Sequence, residues 1–308
     1  MKRFQPTSVA TSPEGVTQYE NVLIARSMTA LAERFDAFIL DQWGVLHDGT
    51  SPYPGAAECL QRLHTAGKRM VVLSNSGKRE ADNLRLMAGI GFDVSVLERC
   101  VTAGEEARTA LEARADSFHR ALGRRCFAFT RGGDRTLLEG IGLDLVDRVE
   151  DADFLAVVSI DSPQRALADY EAELVAAMQR TLPMVCANPD IFRLTPLGIT
   201  DAQGVLARRY EALGGHVFYH GKPYPAIYKS CLAALGCKPE AVIMVGDSVD
   251  HDVLGATRAG IASALIPGGV HGPALGAAWG ELPHGQAWRT FAADACSQPD
   301  YLLAAFNW

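Results

Sequence analysis

The sequence has no excess of basic residues: 29 Lys and Arg stand against 36 Asp and Glu, a formal net charge of -7. Affinity for a nucleic-acid backbone comes mainly from clustered cations, so a nucleic-acid partner is excluded, and Arg124-Arg125 and Arg208-Arg209 read as solvated faces. No apolar run approaches the roughly 18 residues of a spanning helix, so no membrane-spanning helix is expected. There is no Cys-x-x-Cys pair; the seven cysteines are odd in number and scattered. That argues against a disulfide frame or a zinc site and for reduced thiols. Residues 4–19 carry Pro6, Pro13 and Glu14 where an export signal needs an apolar core, so the expected location is the cytoplasm. Repeats at solenoid periods and low-complexity tracts are also lacking.

What remains is 308 residues, 48% of them apolar and 21% charged, the composition of an ordinary folded protein. At roughly 100 to 200 residues per domain the length fits about two domains.

Short apolar runs alternate with helix-period segments from about Phe35, the pattern of a parallel sheet with crossover helices. The first predicted strand is Phe38-Ile39-Leu40, followed by a helix over 54–66 with Ala57, Leu60 and Leu63 on one face. Arg69 to Leu73 reads as the next strand and Glu80 to Met87 as the next helix. A second αβ block then covers roughly 118–214, with strands at 126–129, 154–158 and 184–186 and a helix over 164–179. The first pattern is expected to resume with a strand at 216–219, a helix over 226–235 and strands at 241–245 and 262–266. The first 18 residues and the stretch 268–286 read as loops, with Trp279 and Trp288 marking a packed extension or a subunit contact. The expectation is a doubly wound, Rossmann-like α/β domain, 1–117 with 215–308, interrupted by an inserted α/β domain over 118–214.

Three strands end in polar residues: Asp41, Ser74 and Asp247. Ligands of open parallel sheets bind in the crevice beyond the carboxyl ends of the strands, so these residues should converge. Lys222, between Gly221 and Pro223, can reach a phosphate there as a compact point charge. Two carboxylates side by side repel unless a cation sits between them, and hard oxygen ligands with a phosphate partner fit Mg2+. Asp41 can then attack phosphorus, with water hydrolysing the aspartyl-phosphate.

The segments Asp41-Gln42-Trp43-Gly44-Val45-Leu46-His47-Asp48-Gly49, Leu73-Ser74-Asn75-Ser76, Gly221-Lys222-Pro223 and Gly246-Asp247-Ser248-Val249-Asp250-His251-Asp252 occur in the order of the four haloacid dehalogenase (HAD) motifs. The chain resembles that superfamily from Phe35 to about Ile266. The insertion, with Ala187-Asn188-Pro189-Asp190 near its end, resembles the C2-type cap of the NagD-like, class IIA members. The resemblance implies Asp41 as nucleophile and metal ligand, the carbonyl of Trp43 and the carboxylate of Asp247 as further Mg2+ ligands, and Asp252 behind them orienting a metal-bound water. It implies Ser74, Lys222 and the backbone of Asn75 as phosphate ligands, and Asn188 and Asp190 as cap contacts to a small phosphorylated metabolite. A homodimer formed through the caps is likewise an implication.

One position departs from the pattern: Trp43 stands where such phosphatases usually carry a second Asp as acid and base. His47 and Asp48 are nearby substitutes, or the substrate carries a good leaving group. Two function classes follow: a Mg2+-dependent phosphatase, or a catalytically impaired protein that binds a phosphometabolite in a regulatory role. Each residue also has a plainer reading. Asp41 suits a turn, Ser74 and Asp252 suit helix caps, Asn188 and Asp190 suit a turn around Pro189, Trp43 suits packing, and His220 and His251 suit local hydrogen bonding.

Overall fold

A computed structural model describes Tyr19 and residues 21–195 and 198–308; the loop expected over the first 18 residues lies outside them. Seven strands form one parallel sheet in the spatial order Leu23–Ala25, Tyr301–Leu303, Ala262–Leu265, Val242–Gly246, Ala37–Leu40, Arg69–Ser74, Arg99–Thr102. Strands covered on both faces read as continuous apolar runs. Accordingly Ala37–Leu40 and Val242–Gly246 are buried throughout.

Period-2 alternation divides the side chains between two helical layers. Phe38, Leu40, Val72 and Val245 face the helix Ala56–Thr65, which buries Ala56, Cys59, Leu60 and Leu63 at a spacing of three and four. Ile39, Val71, Leu73 and Met244 face the helix Pro225–Leu235, with Ile227, Tyr228, Cys231 and Leu235 inward. This is a doubly wound α/β domain.

From Ala37–Leu40 the strand order runs outward in both directions. Ala37–Leu40 and Val242–Gly246 are therefore neighbours at the switch point, where loops leaving the carboxyl edge open a crevice. The register Val245↔Leu40 sets their ends level.

A second, five-stranded parallel sheet has the order Val217–Tyr219, Met184–Cys186, Phe154–Val157, Arg125–Phe129, Asp144–Val146. A two-stranded antiparallel ribbon pairs Phe192–Thr195 with Gly198–Asp201. The strand at 216–219 therefore does not resume the first sheet: Val217 pairs with Met184. The helix Gly204–Ala212 supplies the crossover that a parallel pair requires, so the second sheet runs past residue 214. The helix expected over 164–179 begins only at Glu171, after a 3-10 turn at Leu167–Tyr170. There Asp169 accepts the Ala166 N–H at 2.7 Å and the Tyr170 hydroxyl takes the Asp161 N–H at 3.0 Å. Those side-chain bonds hold 161–170 in turns.

The stretch 268–286 holds a helical turn at Gly272–Leu275. Trp288 is fully buried in the following helix, Gly285–Asp294, and Trp279 stacks on Tyr53 at 4.6 Å. The packed extension is what the structure has. All seven cysteines are unpaired, and no helix among the described residues is long and apolar enough to cross a membrane.

Candidate active site

Asp41 and Asp247 follow the two strands that meet at the switch point, and the Asp41 N–H bonds the Val245 carbonyl at 2.9 Å. Their separation in sequence is thus erased by the strand register. Asp252 enters from the turn Val249–Val253, where its Oδ2 accepts the N–H groups of Asp247 (3.1 Å) and Ser248 (3.0 Å). One oxygen from each of Asp41, Asp247 and Asp252 lies within 4.8 Å of the others, and all three residues are buried. Lys222 Nζ donates to Asp41 Oδ1 at 2.6 Å and lies 2.8 Å from Asp252 Oδ1 as an ion pair.

Three glycines make room for this packing. A Cβ on Gly44, whose φ is +77°, would fall 1.9 Å from Asp247 Oδ2, so the Trp43–Gly44 peptide lies against that carboxylate. A Cβ on Gly246 would meet Asp252 at 2.2 Å, and one on Gly269 would meet Asp247 at 2.3 Å. Only glycine permits so close an approach.

Three buried carboxylates facing one ammonium is an unbalanced arrangement. Burial holds the Asp41 carboxyl up to about 7, opposed by the Lys222 charge and reinforced by Asp252. Asp247 is pushed well above the carboxylate range by burial and then by the charges of Asp41 and Asp252; the Val270 N–H, 2.7 Å from its Oδ2, counteracts only part of this. Burial alone would lower Lys222, but the Asp252 and Asp41 charges outweigh it and hold the ammonium ionised. A divalent cation among hard carboxylate oxygens would relieve the remaining repulsion, so the donor set fits Mg2+ or a similar ion.

Ser74 and Asn75 are buried at the end of the adjacent strand. Ser74 Oγ accepts the Ser76 N–H at 3.2 Å, the local capping expected of a strand-end serine. Asn75 does more: its Oδ1 accepts the Lys222 N–H at 2.6 Å, while its Nδ2 donates to Asp190 Oδ1 at 2.7 Å and to the Lys222 carbonyl at 3.3 Å. One amide thus ties the Lys222 segment of the first unit to Asp190 of the second. Asn188 makes the turn around Pro189, its Oδ1 accepting the Asp190 N–H at 2.7 Å. His251 Nδ1 lies 3.6 Å from Asp190 Oδ1, whereas the buried His220 ring points to His119, with the two Nε2 atoms 3.1 Å apart.

The loop after Asp41 separates its residues clearly. Trp43 is 47% exposed, its ring lying over Gly49, where a Cβ would come within 2.1 Å of it, and 5.6 Å from the His47 ring. His47 is buried, lowered in pKa by that burial, and its Nδ1 accepts the Gly49 N–H at 3.0 Å. The Asp48 carboxylate accepts the N–H groups of Thr50 and Ser51, which lower it to about 2. Asp48 is thus a turn-forming anion, unsuited to donating a proton near neutrality.

Sequence reading missed Gly269 and Val270. The signal was the Pro267-Gly268-Gly269 run directly after a strand of the same sheet, which places a tight turn at the same carboxyl edge as Asp247.

A model of haloacid dehalogenase-like hydrolases matches residues 38–144 and a second, HAD-hydrolase-like, matches 219–288. The chain belongs to the haloacid dehalogenase-like hydrolases, and within them to the NagD-like, class IIA kind. It is 27% identical over 237 residues to dihydroxyacetone phosphatase of Corynebacterium glutamicum, covering 76% of this chain and 82% of that one. It is 28% identical over 236 residues to ribonucleotide monophosphatase NagD of Escherichia coli, covering 75% and 87%. The crystal structure of a haloacid dehalogenase-like hydrolase from Brucella suis superposes with a TM-score of 0.76 at 26% identity, over 92% of this chain and 99% of that one.

Proposed function

We propose that this protein hydrolyses phosphate monoesters of small metabolites with the help of Mg2+, through a phosphoryl group carried on Asp41. The observation that carries the reading is the buried set of Asp41, Asp247 and Asp252 around the Lys222 ammonium at the switch point. The relatives reported above, phosphatases by name, support it.

In this reading an Asp41 oxygen attacks phosphorus and the ester P–O bond breaks. The alcohol oxygen leaves with the bonding pair and takes up a proton. Water then attacks the same phosphorus, freeing the Asp41 carboxylate and inorganic phosphate. Asp41, Asp247 and the Trp43 carbonyl would hold Mg2+, which supplies charge neutralisation for the phosphoryl oxygens. Lys222 contributes a fixed positive charge beside the attacking oxygen, and Ser74 with the Asn75 N–H offers donors to the phosphoryl group. Asp252 keeps Lys222 and the Asp247 backbone in place.

The unit bearing the second sheet, residues 118 to about 219, acts as a cap that closes through Asn75 and Asp190 and excludes water. Steady-state hydrolysis of a phosphate-ester panel, with Mg2+ or with EDTA, tests the proposal. Turnover is expected only with Mg2+ and only with Asp41 intact; undiminished activity in Asp41→Asn overturns it.

A further inference from the structure

We infer that the hinge between the two units holds a buried proton, on His220 facing Glu106, and that its release as the pH rises loosens the segment carrying Lys222. His220 is the third member of a chain of four titratable side chains, Asp116–His119–His220–Glu106. None of the four belongs to the charged site, so this device stands whether or not the protein is a phosphatase.

The backbone passes between the units twice, and the chain of side chains spans both passages. Glu106 lies on the helix Ala103–Ala113, which follows the edge strand Arg99–Thr102 of the first sheet. Asp116 caps the short helix Ser117–Ala121 that leads into the second sheet, its Oδ1 accepting the His119 N–H at 3.0 Å. On the way back, His220 directly follows Val217–Tyr219 and donates its N–H to the Cys186 carbonyl at 2.9 Å; Lys222 is two residues on. His119 and His220 are buried, and the Glu106 side chain is only 11% exposed.

Asp116 Oδ2 lies 2.6 Å from His119 Nδ1, the two Nε2 atoms are 3.1 Å apart, and His220 Nδ1 faces Glu106 Oε2 at 3.6 Å. Each contact needs one hydrogen, because a lone pair set against another repels. Two neutral imidazoles carry one N–H each and so fill two of the three. With Asp116 taking the His119 Nδ1–H, His119 Nε2 accepts from His220 Nε2–H, and His220 Nδ1 is left bare against a carboxylate. Both of those facing atoms, His220 Nδ1 and Glu106 Oε2, are buried without a hydrogen-bond partner. A third hydrogen, on His220 Nδ1, turns the contact into a charge-assisted bond and makes His220 an imidazolium on a chain ending in two carboxylates. His119 is not its seat, because burial and the charge of His220 lower it. Phe118 and Phe218 pack against the rings, and His216 meets Phe118 in turn. The thiols of Cys186 and Cys231, on neighbouring elements, are held protonated by burial.

Loss of the third hydrogen leaves a buried lone pair and a carboxylate face to face, an expensive unmade contact. The His220 end of the strand is then repelled from the helix Ala103–Ala113. Lys222, whose N–H is bonded to Asn75 at 2.6 Å, is loosened with it.

The ring N–H resonances of the wild type, assigned through the histidine nitrogens, test the proton and need no variant. His119 and His220 together should show three at about pH 6 and two at about pH 9. Amide hydrogen exchange, corrected for the intrinsic rate, tests the hinge: protection of the Lys222 N–H should fall about tenfold over the same range. Glu106→Gln offers an amide N–H to His220 Nδ1 in place of the proton. That variant should show two ring N–H groups at both pH values, and its Lys222 protection should change about tenfold less. Asp41 and Asp247 titrate in both proteins, so the comparison cancels their contribution. A number of ring resonances that is the same at both pH values overturns the releasable proton. Equal changes of protection in wild type and Glu106→Gln overturn its hold on the hinge; if that variant does not fold, the ring spectrum still decides.

Discussion

The two units of the molecule treat charge in opposite ways. At the carboxyl edge of the seven-stranded sheet, three acids and a lysine are buried together. The second unit places Ile191 and Phe192 in solvent beside a single carboxylate, Asp190, that reaches across to Asn75. A buried charged cluster is costly unless a partner compensates it, so the first unit is built around something ionic. The two units are joined by one amide side chain, that of Asn75, and in the proposed reading the first carries the chemistry and the second the selection of substrate.

The largest expected effects break the charged side. Asp41→Asn should lower turnover by about 10^4-fold or more, as for a lost nucleophile. Its melting temperature at pH 8 should not fall, because the buried Asp41 charge is itself unfavourable. A fall would mean that the ion pair with Lys222 outweighs the cost of burying the Asp41 charge. Lys222→Met leaves Asp41 and Asp252 without their cation. Removing one member of a buried pair costs about 3–5 kcal/mol. Chemical denaturation of the metal-free variant should show that loss, with recovery as the pH is lowered and the carboxylates take up protons. A loss unaffected by pH would mean that Lys222 acts mainly through packing.

A smaller effect should follow from breaking the link between the units. Asp190→Ala removes a hydrogen bond of the charged kind, about 1.5–3 kcal/mol, while leaving the three acids and Lys222 untouched. KM for phosphate esters should rise about 10- to 100-fold with kcat little changed. A fall in kcat with constant KM would place Asp190 with the charged cluster, contrary to the division drawn between the units.

The charged side was the legible one. Asp41, Ser74 and Asp247 end strands whose apolar runs are unmistakable, and a parallel sheet has only one edge at which such ends can meet. Asp252 was read as lying behind the metal ligands; it does cap Asp247, and its carboxylate also joins the cluster. The second unit was less legible because its elements look the same in either sheet. Val217–Tyr219, followed by a helix, fits both, and only the Met184 pairing decides. Leu23–Ala25 at the sheet edge and Tyr301–Leu303 beside it are too short to stand out from loops by pattern. Exposure is a tertiary property: Trp43, for which packing is the default, stands 47% exposed, and Phe192 is indistinguishable from a core residue until the chain is folded.

The smallest expected effect compares the two sides through pH. Burial holds Asp41 up to about 7, above the ordinary carboxylate value. Between about pH 4 and 7 the folded metal-free protein therefore binds more protons than the unfolded chain, and its stability from this group declines as pH rises. Asp247, raised by burial and by the charge of Asp41, has the same sign. A divalent cation binds the deprotonated carboxylates, so its stabilisation grows over the same window. His47, His119 and His271, all lowered by burial, act in the opposite direction. Stability from them is lost as pH falls below about 6.5, but equally with and without the metal. Subtracting melting temperatures measured with and without saturating Mg2+ cancels the histidines and leaves the acids. That difference should be a few degrees larger at pH 8 than at pH 5.5 in the wild type, and the pH dependence should shrink in Asp41→Asn. An equal difference at both pH values would mean that the cation binds without displacing protons, and the buried carboxylates would then not be its ligands.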